Sequence, residues 1–273
     1  MASGTASAMS TDALLQQARA AFRLTAATMD DDDVAPDASD IILLRNVHKT
    51  YLLGVEGVPA VRGVSLSVKQ GEVVVILGKS GGGKTTLLNL MGTIDKPTRG
   101  DVFLAGTRVT ADTPDAILAR LRLLRIGVVF QSFNLIDSMT AVENVELPLV
   151  LAGWGTAQQR RERAVRLLRL VGLGDRVTHT PPQMSGGEQQ RTTIARALAN
   201  KPDVLLLDEV TGDLDAGNTD MVMGLLTHLN QQQHVTQVMV THDVSQKVFA
   251  HRVFHILDGK LLRVERIPKT IRN

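Results

Sequence analysis

The 273-residue chain contains no cysteine, one tryptophan and one tyrosine. The missing cysteines exclude disulfides, thiolate metal sites and a thiol nucleophile together, and they fit a reducing compartment. Aromatic residues make up 3% of the chain against 44% hydrophobic residues, so aliphatic packing must fill the core. Long apolar runs are lacking too. Stretches such as VVVIL and VLLL fall far below the roughly 18 residues that span a bilayer. The expectation is that no segment of this chain crosses a membrane, so that any membrane component is a separate polypeptide.

Charge of one sign is also scarce, with a formal net of +2. The balance is uneven, because residues 1–40 hold Arg19 and Arg23 against seven aspartates, which leaves the remainder basic up to its end, GKLLRVERIPKTIRN. A basic body suits nucleic acid, but no basic run alternates with aromatics, and no nucleic-acid partner is expected. Residues 1–39, rich in Ala, Ser, Thr and Asp and ending in MDDDDVAPDAS, have the composition of a disordered acidic tail. Within them TDALLQQARAAFRLTAA suits a short amphipathic helix with the arginines of a transit peptide; the acidic block that follows argues against targeting.

From Ile41 the pattern becomes regular. IILLRNV and GVSLSV read as strands, EVVVILG as a buried strand ending in a glycine loop, and GKTTLLNLMG as a helix closed by glycine. DVFLAG, IGVVFQ, DVLLLDE and TQVMVTH are further strands, the last two each leading into a helix, and RVFHILDGKLLRV reads as a final ribbon. A helical region from Thr140 to about Asn200, broken at LAGWGT and THTPPQ, looks like an insertion. Apolar strands alternating with helices imply an α/β fold with a mostly parallel sheet covered on both faces. No internal repeat is visible.

Two stretches carry phosphate chemistry. GKSGGGKT, from Gly78 to Thr85, fits G-x-x-x-x-G-K-[ST] between a strand and a helix. The bare pattern arises by chance in about one chain in a hundred of this length, so it is the flanking elements that make it a phosphate loop. Glycines at Gly81, Gly82 and Gly83 let backbone amides face phosphate oxygens; Lys84 offers charge to the β and γ phosphates and Thr85 a hydroxyl to Mg²⁺. VLLLDE then ends a buried strand with Asp208, suited to Mg²⁺, and Glu209, suited to act as general base toward water. The second stretch is MSGGEQQR, where Ser185, Gly186 and Gly187 stand at a helix start, a place that favours anions.

Phosphate loop, SGGE turn, DE strand end and VTHD, in that order, resemble the ATP-binding-cassette (ABC) family over Ile41 to about Val264. The resemblance implies a nucleotide-binding domain over residues 40–264, with an N-terminal antiparallel region, an inserted helical subdomain at about 132–200 and a basic tail at 265–273. ATP and Mg²⁺ are the implied ligands. The site residues it implies are Gly78, Lys79, Ser80, Gly81, Gly82, Gly83, Lys84, Thr85 and Thr86 around the phosphates and Tyr51 stacked on adenine. Gln131 would touch Mg²⁺ and the lytic water, and His242 the γ-phosphate. Ser185, Gly186 and Gly187 would serve the nucleotide of a second subunit in a head-to-tail dimer, and GDLD, from Gly212 to Asp215, would cross the interface. SMTAVENVELPLVLAG and MGTIDKPTRGDVFLAG look most like the lipoprotein-release and macrolide-export group. Val210, Asp213, Lys79, Gly82 and Met184 depart from the usual residues without removing a catalytic group. The function implied is the ATPase subunit of a membrane complex, peripheral on the cytoplasmic face, working with a separate transmembrane subunit; a soluble regulatory ATPase is the alternative.

Overall fold

The computed structural model describes residues 37–54 and 56–268. The readings made of residues 1–36 and 269–273 lie outside them.

Two sheets organise the described residues. The first is antiparallel, in the order β2-β1-β4-β5, from β1 (Asp40–Leu53), β2 (Glu56–Lys69), β4 (Arg99–Leu104) and β5 (Thr107–Val109). The second runs β10-β9-β3-β8-β7-β6, from β3 (Val73–Leu77), β6 (Ile126–Val129), β7 (Val204–Asp208), β8 (Thr236–Thr241), β9 (Arg252–Leu257) and β10 (Lys260–Arg266). In it β3, β6, β7, β8 and β9 pair in parallel and only β10 is antiparallel.

The parallel strands are largely apolar because both faces are covered, and the pleat divides their apolar side chains between two cores. Val74, Ile76, Leu206, Val238, Val240 and Phe254 join the core shared with the antiparallel sheet and helix α1 (Lys84–Met91). Val75, Leu77, Leu205, Leu207, Met239 and Val253 face the opposite core. That second core includes Val142, Val145, Leu168 and Ile194 of the helical insertion and Val222 and Leu226 of a later helix. Burying each such side chain contributes about 1.5–3 kcal/mol, so the insertion is held on the sheet by its own apolar face.

The insertion comprises α3 (Ala141–Leu151), α4 (Ala157–Leu170) and α5 (Gly186–Ala197), after α2 (Asp115–Arg125) and before α6 (Ala216–Gln233). Each of its helices starts with a capping box: Thr140 with Glu143, Thr156 with Gln159, and Ser185 with Glu188. These pairs satisfy amides that a helix end leaves open, and they place the helix starts within a residue of the sequence reading.

Three features differ from that reading. β1 and β2 form one long hairpin instead of two short strands. β5, too short to show a pattern, exists because Ala105 and Gly106 both take positive φ and fold the chain back on β4. The segment after β8 is a short 3₁₀ stretch, Val244–Phe249: the Asp243 side chain accepts from the Ser245 amide at 2.8 Å, and Ala250 is extended.

Between β6 and α3 the chain crosses residues 130–140 without regular structure. Fully buried Asn144 holds the far half of this crossing, accepting from the Ile136 amide at 2.8 Å and donating to the carbonyls of Ile136, Met139 and Thr140 at 3.1–3.2 Å. Asn144→Ala would strand these groups away from water and is expected to lower the unfolding free energy by about 2–4 kcal/mol. Urea denaturation measures this, and an unchanged midpoint would show that the crossing is held by something else.

Candidate active site

The phosphate loop leaves the carboxyl end of β3 and closes on α1. Gly83 caps that helix at φ 93°, and a Cβ there would lie 2.4 Å from the Ala60 carbonyl oxygen, so no other residue fits. Lys84 is buried, and its ammonium donates to the Lys79 carbonyl at 2.9 Å. The charge therefore sits inside the ring of the loop.

Parallel pairing carries Asp208 to the same edge, one residue beyond the Leu207–Met239 pair of β7 and β8. Burial pushes the Asp208 carboxyl above its ordinary range, neighbouring Glu209 adds to this, and Lys84 and a hydrogen bond from Thr85 oppose it. One buried oxygen of Asp208, Oδ1, has no hydrogen-bond partner. Among the described residues no three His, Cys, Asp or Glu side chains form a metal cluster. An orphaned carboxylate oxygen beside a threonine hydroxyl fits a hard cation that takes its other ligands from phosphate and water. Lys84, Thr85 and Asp208 thus form one charged unit.

Glu209 turns the backbone sharply: its φ of 48° is left-handed, a strained conformation for a side chain without a local hydrogen-bonding role. Its amide donates to the Val240 carbonyl at 3.0 Å, which fixes the turn against β8. The carboxylate faces His242, with Nδ1 at 3.0 and 3.1 Å from its two oxygens. Gln131, just beyond β6, donates from Nε2 to Asp213 at 3.2 Å. Ser80, Gly81, Lys84, Thr85, Thr86, Gln131, Glu209 and His242 line a single cleft of about 560 Å³. Ala60 lines it as well, and nothing in the sequence pattern marked that residue.

Tyr51 stands close to this loop. Its hydroxyl donates to Asp95 at 2.7 Å and interacts with Thr86, and the Lys49 ammonium lies 4.9 Å from its ring centre. One face of the ring is thereby taken by a cation. Burial raises the Tyr51 phenol, and Asp95 raises it further. Burial also works to raise the Asp95 carboxyl, but hydrogen bonds from Lys49 and Tyr51 hold it below its ordinary range. The sequence assigned Lys49 and Asp95 no role, because it is their contact with Tyr51 in the fold that brings them to the site.

The Ser185 turn does not line the cleft. Ser185 is exposed, accepting from the Glu188 amide at 3.3 Å and donating to the Glu188 carboxylate at 3.0 Å. The first-turn amides of Gly186 and Gly187 have no acceptor within their own helix. For Gly187 the sequence reading gave half the reason for glycine. A Cβ there would lie 2.0 Å from Oδ1 of Asn218, in the first turn of α6, so the missing side chain lets α5 and α6 approach. Gly186 has ordinary space, its nearest atom being in the Phe133 ring at 3.7 Å.

Residues 61–212 match the family model described as ABC transporter. The chain belongs to the ABC transporter family. ABC transporter H family member 2 of Dictyostelium discoideum is 56% identical over 88% of this chain, which spans 47% of that protein. A macrolide export ATP-binding/permease protein of Syntrophobacter fumaroxidans is 48% identical over 81% of the chain, which spans 31% of it. An ABC transporter ATP-binding protein of Methanocaldococcus jannaschii is 45% identical over 83% of the chain and is spanned over 97% of its length. The structure of that archaeal cassette as a dimer with ADP and Pi superposes with a TM-score of 0.77 at 44% identity, covering 82% of this chain and 98% of that one. The fold here is that of the ABC ATPase cassette, and the likeness to the macrolide-export group read from the sequence is borne out. No helix among the described residues is long and apolar enough to cross a membrane.

Tight packing at Gly187 makes a prediction about the cassette itself. Gly187→Ala is expected to destabilise the chain by about 1–3 kcal/mol through overpacking, and Asn218→Ala in the same chain should recover much of the loss. Thermal melting of the single and double variants decides this: equal melting of Gly187→Ala and wild type would remove the steric account.

Proposed function

We propose that the chain is the ATP-hydrolysing subunit of a membrane transport complex and works as a pair of cassettes. The observation that carries this reading is the convergence of Lys84, Thr85, Gln131, Glu209 and His242 on one cleft that Ser185, Gly186 and Gly187 do not line. A site with its lysine, acid and histidine in place but no second phosphate cradle is half of a sandwich. The start of α5, with Ser185 exposed and the Gly186 and Gly187 amides unpaired within the helix, supplies the other half to a neighbouring copy.

In the mechanism, the amides of Gly81, Gly82 and Gly83 receive the β and γ phosphates and Lys84 neutralises them. Thr85, Asp208 and Gln131 would hold Mg²⁺, which screens the phosphate charge and orients the γ-phosphoryl group for attack. Tyr51, with one face on Lys49 and its hydroxyl on Asp95, presents its remaining face to adenine. Glu209 takes a proton from water positioned with Gln131, and its strained backbone fixes the carboxylate before substrate arrives. His242 donates from Nδ1 to Glu209, and as the imidazolium it also donates from Nε2 to a γ-phosphate oxygen, so one ring orients the base and reads the substrate. The closing subunit adds its Ser185, Gly186 and Gly187, whose amides stabilise charge that develops on transfer.

The partner that receives the stroke is a separate transmembrane subunit, with the cassette peripheral on the cytoplasmic face. A groove of about 520 Å³, lined by Leu123, Ile126, Leu147 and Leu151 with Arg122 and Arg196 among its polar members, lies where the insertion meets the sheet and suits a short amphipathic segment.

Glu209→Gln tests the chemistry. ATP should still bind, and hydrolysis should fall by at least the roughly 10²-fold typical of a lost general base. Hydrolysis within a few fold of wild type would move the base elsewhere.

A further inference from the structure

Residues 131–134 leave the cleft through an unusual turn. Phe133 and Asn134 are consecutive and both left-handed, at φ 55° and 52°. Asparagine tolerates that region; for phenylalanine it is a real departure, which persists only where surrounding structure imposes it. Two local bonds hold the turn tip, from the Asn134 amide to the Ser132 carbonyl and from the Ser132 hydroxyl to Asn134 Oδ1 at 3.1 Å. Neither explains the position of Phe133.

One side chain does. Arg196 donates from its two terminal nitrogens to the carbonyls of Asn134 and, at 2.9 Å, of Phe133. A planar fork suits two adjacent carbonyls, one for each terminal nitrogen. The guanidinium belongs to the last turn of α5, where a cation could have served the carbonyls of its own helix end. It reaches instead across 62 and 63 residues of sequence to the loop that carries Gln131. The same residue lines the groove between insertion and sheet.

We propose that Arg196 is a positioning residue for hydrolysis, which sets the place of Gln131 by pinning the two strained residues after it. Because Arg196 lies on the helix whose other end is Ser185, the pin joins two functional parts of the chain. The loop that completes its own nucleotide site and the turn offered to a second copy move as one body. A displacement of α5, or a segment pressed into the groove against Arg196, is delivered to Gln131 through a two-pronged hydrogen bond. Misplacement by about 1 Å is enough to cost up to 10²-fold in rate. This rests on the reading of Gln131 given above.

The test is a double-mutant cycle between Arg196→Lys and Gln131→Ala, read as kcat and KM for ATP with Mg²⁺ at saturating protein pairs. Lysine keeps the charge and the stem and loses the fork; Arg196→Gln is the second variant, and thermal melting establishes which of them is folded. In the wild-type background Arg196→Lys should lower kcat about 10-fold with KM within about 3-fold. In the Gln131→Ala background the same change should alter kcat by less than about 2-fold, because there is no glutamine left to misplace. A loss of equal factor in both backgrounds, or an unchanged kcat in Arg196→Lys, overturns the proposal and leaves Arg196 a structural residue. If Gln131→Ala alone hydrolyses ATP like wild type, the reading of Gln131 fails first and the proposal falls with it, an outcome distinct from the additive one.

Discussion

Parallel pairing of β3 with β8, β8 with β7 and β7 with β6 is the constraint on which the site depends. It brings the carboxyl ends of four strands to one edge, so that Gly78, Gln131, Asp208 and His242, far apart in the chain, leave the sheet side by side. Parallel sheets need both faces covered, which is why the centres of these strands are apolar and carry no charge, and why charged residues begin only at their carboxyl ends. The chemistry is concentrated there because nowhere else on these strands is a charge affordable.

At that edge the polar groups constrain one another. Lys84 would be costly to bury alone, and the loop carbonyl and Asp208 beside it reduce that cost. Asp208 in turn keeps one oxygen without a partner, and Glu209 holds a left-handed backbone. A cation arriving with the phosphates would satisfy that oxygen, while the turn at Glu209 keeps the carboxylate in place. The insertion adds a second level. Asn144 fixes the far end of the crossing, Arg196 its near end, and Gln131 reaches Asp213 in the loop before α6. Asp215 then caps α6 through the Asn218 amide at 2.7 Å, and Asn218 fills the space that Gly187 leaves. Cleft and Ser185 turn are thus linked through side chains with little slack.

Much of this was legible in the residues. VVVIL and VLLLD are short apolar runs flanked by glycine or acid, and such runs have few alternatives to a buried strand. The phosphate loop, the DE pair and the Ser185 cap announce themselves because their chemistry is local: glycine for bare amides, serine three before glutamate for a capped helix. What stayed hidden was relational. Nothing near Asn218 marks it as the reason for Gly187, and Arg196 looks like an ordinary basic residue at a helix end. Phe133 gives no sign of positive φ, since strain imposed by a side chain 63 residues away has no local signature. β5 was missed because three residues cannot display a period.

The claim that matters most is that Ser185 serves another subunit's nucleotide. Aspartate caps a helix about as well as serine but loses the donation that Ser185 makes to Glu188, so thermal melting first establishes that α5 stays folded in Ser185→Asp, whose negative charge would lie where the γ-phosphate sits. Two cassettes joined covalently, one carrying Lys84→Ala and the other Ser185→Asp, should contain one site with both defects and one with none. Single-turnover hydrolysis of stoichiometric ATP should then proceed at close to the wild-type rate in the mixed pair, while linked pairs carrying either change twice remain inactive. A mixed pair as inactive as those controls would mean that the turn acts on its own chain's nucleotide, and the account of the sandwich would be wrong.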